Sequence, residues 1–245
     1  MIPKIIHYCW FGKGKMPKLA EKCMKSWNKF CKDYKIICWN EENFDIDQNE
    51  YIRQAYENRK YAFVTDYVRL FALYNYGGIY MDTDVEVIKS LDEFLKNKAF
   101  SGFESYSTVP TGIMASEAKL PVFKELLDYY DNVNFIDKDG KMNLTTNVEI
   151  ITDIMCKKGL NPNNTLQVIG DFAFYPKEFF CPIDFSTKVK NITKNTVTIH
   201  WFSGSWVPKK DKIKIKVYNN VEKLFGKNIA KKFSNAFKRK SDYGK

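Results

Sequence analysis

The chain has 245 residues and a formal net charge of +10, with 19 Phe, 15 Tyr and 5 Trp. That length suits one large domain or one domain with a small appendage, and no apolar run is long enough to span a membrane. The charge is local: 13 Lys and Arg against 3 Asp and Glu fall in 208–245, leaving 26 of each in 1–207. A nucleic-acid-binding core is therefore excluded as an expectation.

The first residues, MIPKIIHYCWFG, lack the long apolar core and small-residue cleavage site of a signal peptide. A cytoplasmic protein is expected, at the inner face of the membrane if 208–245 binds there. The six Cys, at 9, 23, 31, 38, 156 and 181, form no CxxC pair. Buried reduced thiols fit better than a zinc site or a disulfide framework.

In chain order, 2–11 (IPKIIHYCWF) reads as a buried strand, followed by a loop loosened by Gly12 and Gly14. Pro17 opens an amphipathic helix over 17–31, and 34–39 (YKIICW) is a second strand. Strand, helix and strand within 40 residues form a βαβ unit, hence a parallel pair. An acidic loop, 41–47, leads to a polar helix over 50–60.

Residues 61–88 are the centre of the chain: YAFVTDYVRLFALYNYGGIYMDTDVEVI. Phe63, Val64, Tyr67, Val68, Leu70, Phe71 and Tyr74 recur at helical spacing. Gly77 and Gly78 stop that helix. Ile79, Tyr80 and Met81 form a short strand running into Asp82-Thr83-Asp84. In an extended chain, residues i and i+2 point the same way, so both carboxylates can face one point. Unpaired they would repel, and a divalent cation such as Mg²⁺ or Mn²⁺ removes the conflict. On the helix, Asp66 and Arg69 share one face.

Beyond the acidic pair, 85–88 continues the strand and 91–95 is a short helix. Strands follow at 100–104 and 111–115, then a helix over 121–130. Residues 131–143 are a polar loop without EF-hand spacing. Thr145 or Thr146 caps a helix over 148–157, ended by Gly159. Strands at 165–169 and 172–175 precede an apolar segment at 179–183. The last strand, 197–201, ends in His200-Trp201-Phe202-Ser203-Gly204-Ser205-Trp206, whose Ser-Gly-Ser turn can offer amides to phosphate. In 208–245, Val217, Val221, Leu224, Phe225, Ile229, Phe233, Ala236 and Phe237 fall at spacings of three and four among lysines. This fits a basic helix on an anionic membrane surface or one docked on the domain.

The string TDYVRLFALYNYGGIYMDTDV closely resembles the DxD-containing sugar-binding region of glycosyltransferase family 32. That family includes bacterial capsular polysaccharide transferases, fungal mannosyltransferases and animal α1,4-galactosyltransferases, and large clostridial glucosylating toxins share its motif order. The resemblance covers roughly 2–207. It implies an α/β, GT-A-like (Rossmann-like) catalytic domain over 1–207 with a mixed, mostly parallel central sheet, followed by the basic 208–245 segment.

It further implies a metal-dependent, retaining hexosyl transfer. The donor would be a UDP-sugar, with UDP-galactose or UDP-glucose favoured, and the acceptor a glycan or lipid-linked oligosaccharide in bacterial surface polysaccharide synthesis. Asp82, Asp84 and His200 would hold Mn²⁺ or Mg²⁺. Asp66 and Arg69 would hold the donor, with Asp82 in reach of the ribose. Trp10, which as a residue fits a core position equally well, would stack on the base. Asn147 would lie near the donor sugar, and Ser205 and Trp206 over the diphosphate. The competing readings are a toxin-like protein glucosyltransferase and a non-catalytic carbohydrate-binding protein of the same fold. A metal-dependent phosphoesterase would be expected to carry more His and Asp ligands.

Overall fold

The structure is a computed structural model that describes residues 1–105, 107–109, 112–185 and 187–204. Residues 1–183 and 190–201 form one compact unit. A second unit includes 184–189 and 202–204, in which the Phe185 and Phe202 rings meet edge to face at 5.2 Å. The expected boundary at 207/208 and the basic segment 208–245 lie outside the described residues.

The first unit is built on a seven-stranded sheet. Its strands are β1 (Ile5–Cys9), β2 (Lys35–Trp39), β3 (Gly78–Met81), β5 (Ala99–Gly102), β6 (Ile113–Ser116), β7 (Gln167–Ile169) and β8 (Phe172–Tyr175), in the order β2-β1-β3-β6-β5-β8-β7. β1 pairs in parallel with β2, as the βαβ reading predicts, and also with β3, while β5 pairs in parallel with β8. β6 runs antiparallel to both β3 and β5, and β7 to β8. Five strands thus share one direction and two oppose it; three pairings are parallel and three antiparallel, so the sheet is mixed in equal parts rather than mostly parallel as expected.

The helices follow the apolar periodicity. α1 (Lys18–Phe30) buries Ala20, Cys23 and Trp27, and the Trp27 indole donates to the Val85 carbonyl at 2.7 Å. The helix α2 (Glu50–Glu57) is capped by the Asn49 side chain. α3 (Tyr61–Tyr76) is buried along most of its length, because it lies between the sheet and α4 (Pro121–Asp131). It ends where the Gly77 amide bonds back to the Leu73 carbonyl with φ at +65°, a conformation that favours glycine. A Cβ on Gly77 would also meet the Ser116 carbonyl at 2.9 Å, so β3 can begin close against β6. α5 (Asn147–Lys157) opens on a capping box between Thr146 and Glu149, which selects Thr146 as the cap. The short α6 (Lys177–Phe180) occupies the apolar stretch after β8.

One expectation needs correcting. Residues 85–88 do not continue β3. The Val85 amide bonds to the Asp82 carbonyl at 3.0 Å, closing a turn through Asp82-Thr83-Asp84. The chain is redirected into β4 (Val85–Val87), which pairs antiparallel with β9 (Thr198–His200) in a separate two-stranded sheet. The acidic pair therefore sits on a turn, and its two carboxylates converge by turn geometry rather than by the period of an extended chain.

All six Cys are free thiols, four of them buried. His7 is fully buried. It faces the Gly77 carbonyl through Nε2 at 2.8 Å and accepts from the Trp39 indole through Nδ1 at 3.1 Å. It is a core residue, in keeping with the buried strand expected over 2–11.

Candidate functional site

The parallel strands deliver chemistry to one edge of the sheet. β1 leads into Trp10 and β3 into Asp82, and their parallel register, with His7 opposite Tyr80, brings both to the same end of the sheet. In open α/β sheets ligands bind outside the carboxyl ends of the strands.

Asp82 is fixed from three directions. Its backbone N–H donates to the Gly112 carbonyl at 2.8 Å. Its Oδ1 accepts from the Tyr80 hydroxyl at 2.8 Å and lies 3.5 Å from Arg69 Nη2. The other oxygen, Oδ2, lies 3.9 Å from His200 Nε2, and Asp84 Oδ1 lies 3.3 Å from the same nitrogen. One ligand atom from each of Asp82, Asp84 and His200 lies within 4.8 Å of the others. His200 reaches this point because β9 pairs with β4: Val85, the residue after Asp84, stands opposite His200.

Two carboxylates and an imidazole suit a divalent cation of the Mg²⁺ or Mn²⁺ kind. The electrostatics agree. Burial by itself would lower the His200 pKa, but its bond to Asp84, aided by Cys181, raises it well above the ordinary value. The carboxylates thus favour positive charge at this point, and a divalent cation answers the same charge. The three residues expected to hold the metal are brought together.

The pair on α3 lies behind this cluster. Arg69 Nη2 is 3.1 Å from Asp66 Oδ1, and the guanidinium lies 4.5 Å from the Tyr80 ring centroid. Both residues are buried, Arg69 at 5% and Asp66 at 9% exposure. Burial pushes the Asp66 carboxyl up to about 6 against the pull of Arg69. Arg69 bridges Asp66 and Asp82, so its guanidinium is engaged with the site's own carboxylates.

Asn147 is 1% exposed. Its backbone N–H, in the first turn of α5, donates to Asp66 Oδ2 at 3.3 Å, and its side-chain amide donates to the Asp66 carbonyl at 3.1 Å. Its place is therefore behind Asp66, the residue expected to hold the donor. Trp10 is half-buried, and its indole N–H donates to the Gly14 carbonyl at 2.7 Å, which holds the ring on the loop after β1. Gly12 in that loop has φ of +87°, and a Cβ there would lie 2.3 Å from the Tyr61 ring, so only glycine lets the loop fold down. Ser205 and Trp206 lie outside the described residues.

Sequence reasoning missed three residues. Tyr80 was read as strand filler, yet its hydroxyl orients Asp82. Gly112 holds the Asp82 backbone. Glu104, just past β5, is a carboxylate that burial holds above its usual range and whose charge acts on His200 and Asp82. An isolated Glu at a strand end carries no periodicity or spacing that would single it out.

The mixed sheet with helices on it defines the class at the level of fold: the fold is that of GT-A glycosyltransferases. The solved structure named "PaToxG Glycosyltransferase" superposes with a TM-score of 0.51 at 17% identity, over 64% of this chain and 69% of that one. Residues 17–101 match the family described as "Glycosyltransferase sugar-binding region containing DXD motif". The chain is 31% identical over 143 residues to mannosyl phosphorylinositol ceramide synthase SUR1 of Saccharomyces cerevisiae, over 56% of this chain and 37% of that protein. The chain thus spans little more than a third of that relative's length. An uncharacterized glycosyltransferase of Acanthamoeba polyphaga mimivirus is 28% identical, over 74% of this chain and 78% of its own.

Proposed function

We propose that this protein is a metal-dependent hexosyltransferase that uses a nucleotide-diphosphate sugar, retains anomeric configuration and acts on a glycan or lipid-linked acceptor. The observation that carries this reading is the convergence of Asp82, Asp84 and His200 beside the Asp66–Arg69 pair at the strand ends. A bound Mn²⁺ or Mg²⁺ would neutralise charge on the departing diphosphate as a Lewis acid.

The chain's own groups do the rest. Tyr80 and Arg69 hold Asp82 in one rotamer, so its free oxygen faces His200. Asp66, mostly ionised at neutral pH with its carboxyl near 6, would accept hydrogen bonds from sugar hydroxyls. Trp10 offers an aromatic face for the base.

The sugar stays at the level of hexose. The sequence resemblance favours UDP-galactose or UDP-glucose, whereas mannose and a ceramide lipid come from the name of the yeast relative. A nucleotide-release screen across UDP-glucose, UDP-galactose and GDP-mannose separates these. Release should stop with EDTA, return with Mn²⁺ or Mg²⁺, and fall at least a hundredfold in Asp84→Asn. Turnover indifferent to chelator and to that substitution would overturn the reading.

A further inference from the structure

We propose that Gly112 is a positioning residue of the cation site, with the space left by its missing side chain serving as the seat of the His200 ring. This rests on the metal reading above and adds a residue to it. Gly112 immediately precedes β6, and the amide of Asp82 donates to its carbonyl at 2.8 Å. One face of the residue therefore holds the first acidic ligand.

The other face meets the imidazole. A Cβ built on Gly112 would lie 2.7 Å from His200 Nδ1, 2.8 Å from Cε1 and 3.3 Å from Cγ. Real Cβ atoms essentially never approach other atoms this closely, so the ring would have to move. Its freedom to do so is small: His200 is 12% exposed at the side chain and its backbone is paired to Val85. The nitrogen that faces the carboxylates, Nε2, is carried by the same rigid ring, so displacing Nδ1 and Cε1 displaces Nε2 from Asp82 and Asp84.

What Gly112 contributes is room for the ring, and the expected cost of Gly112→Ala is the clash with His200. The same argument predicts that the clash vanishes when the ring is removed.

The test is Mn²⁺ affinity of the full chain without donor, read from free Mn²⁺ by electron paramagnetic resonance, in wild type, Gly112→Ala, His200→Ala and the double variant. Groups that orient a metal ligand typically cost ten- to a hundredfold in affinity when changed. Gly112→Ala should weaken Mn²⁺ by about that factor. His200→Ala should weaken it similarly, and the double variant should match His200→Ala in both Kd and Tm. If Gly112→Ala alone folds poorly, recovery of Tm in the double variant reports the same clash. Wild-type Mn²⁺ affinity in Gly112→Ala, or losses that add in the double variant, would overturn the proposal while leaving the metal site intact. If His200→Ala itself leaves Mn²⁺ binding unchanged, His200 is not a ligand and this proposal fails, while the metal reading is decided separately by chelator and Asp84→Asn.

Discussion

His7 shows how much one buried side chain can be asked to do. The Trp39 indole has only a hydrogen to offer, so His7 Nδ1 must be an acceptor and Nε2 must carry the proton that goes to the Gly77 carbonyl. A second proton on Nδ1 would face the indole N–H. Burial, the largest cause, pushes the His7 pKa down from 6.5 to about 4, with Lys35 acting in the same direction. The unfolded chain therefore binds a proton near pH 6.5 that the folded chain refuses until about pH 4. Stability is full above pH 6.5 and is lost as pH falls through that window, by on the order of 3 kcal/mol in total. Urea unfolding at pH 7 and pH 5 should show this loss in wild type, and His7→Gln should flatten it. An equal pH slope in both proteins would show that His7 is not its source.

At the scale of elements, the site depends on how α5 meets α3. The capping box sets the start of α5 at Asn147, and Asn147 then clamps Asp66 by its carboxylate and by its carbonyl. The two devices should separate. Thr146→Ala removes a cap, worth about 1 kcal/mol, and should leave donor KM nearly unchanged. Asn147→Ala keeps the backbone N–H on the Asp66 carboxylate but removes the side-chain bond to the Asp66 carbonyl, costing about 1 kcal/mol, and should also raise donor KM because α5 then holds Asp66 less firmly. Equal KM in both variants would confine Asn147 to stability. Local elements such as α1, expected over 17–31 and found at Lys18–Phe30, were legible because apolar spacing and Pro17 are local signals. The β4–β9 pair was not. It joins residues more than a hundred positions apart, and the turn that separates β4 from β3 contains no glycine or proline to announce it. The DxD and His200 were legible as residue types at strand ends. Tyr80, Gly112 and Glu104 were not, since their roles depend on what the fold sets beside them.

At the scale of the whole chain, charge is divided more sharply than fold. Residues 1–207 carry 26 basic and 26 acidic side chains, and 208–245 carries 13 against 3. A neutral segment gains little from an anionic surface, whereas each Lys or Arg held near one contributes about 1 kcal/mol. We propose that 208–245 brings the protein to anionic membranes, which would suit a lipid-linked acceptor. The full chain should co-sediment with phosphatidylserine-containing vesicles at low salt, bind neutral phosphatidylcholine vesicles far less, and release when ionic strength shortens the screening length. Charge reversal at Lys209, Lys210, Lys212 and Lys214 should reduce the bound fraction and leave Mn²⁺-dependent nucleotide release intact, because none of these residues belongs to the site described above. Partitioning that ignores lipid charge and salt would argue instead that the apolar positions of 208–245 dock on the protein itself.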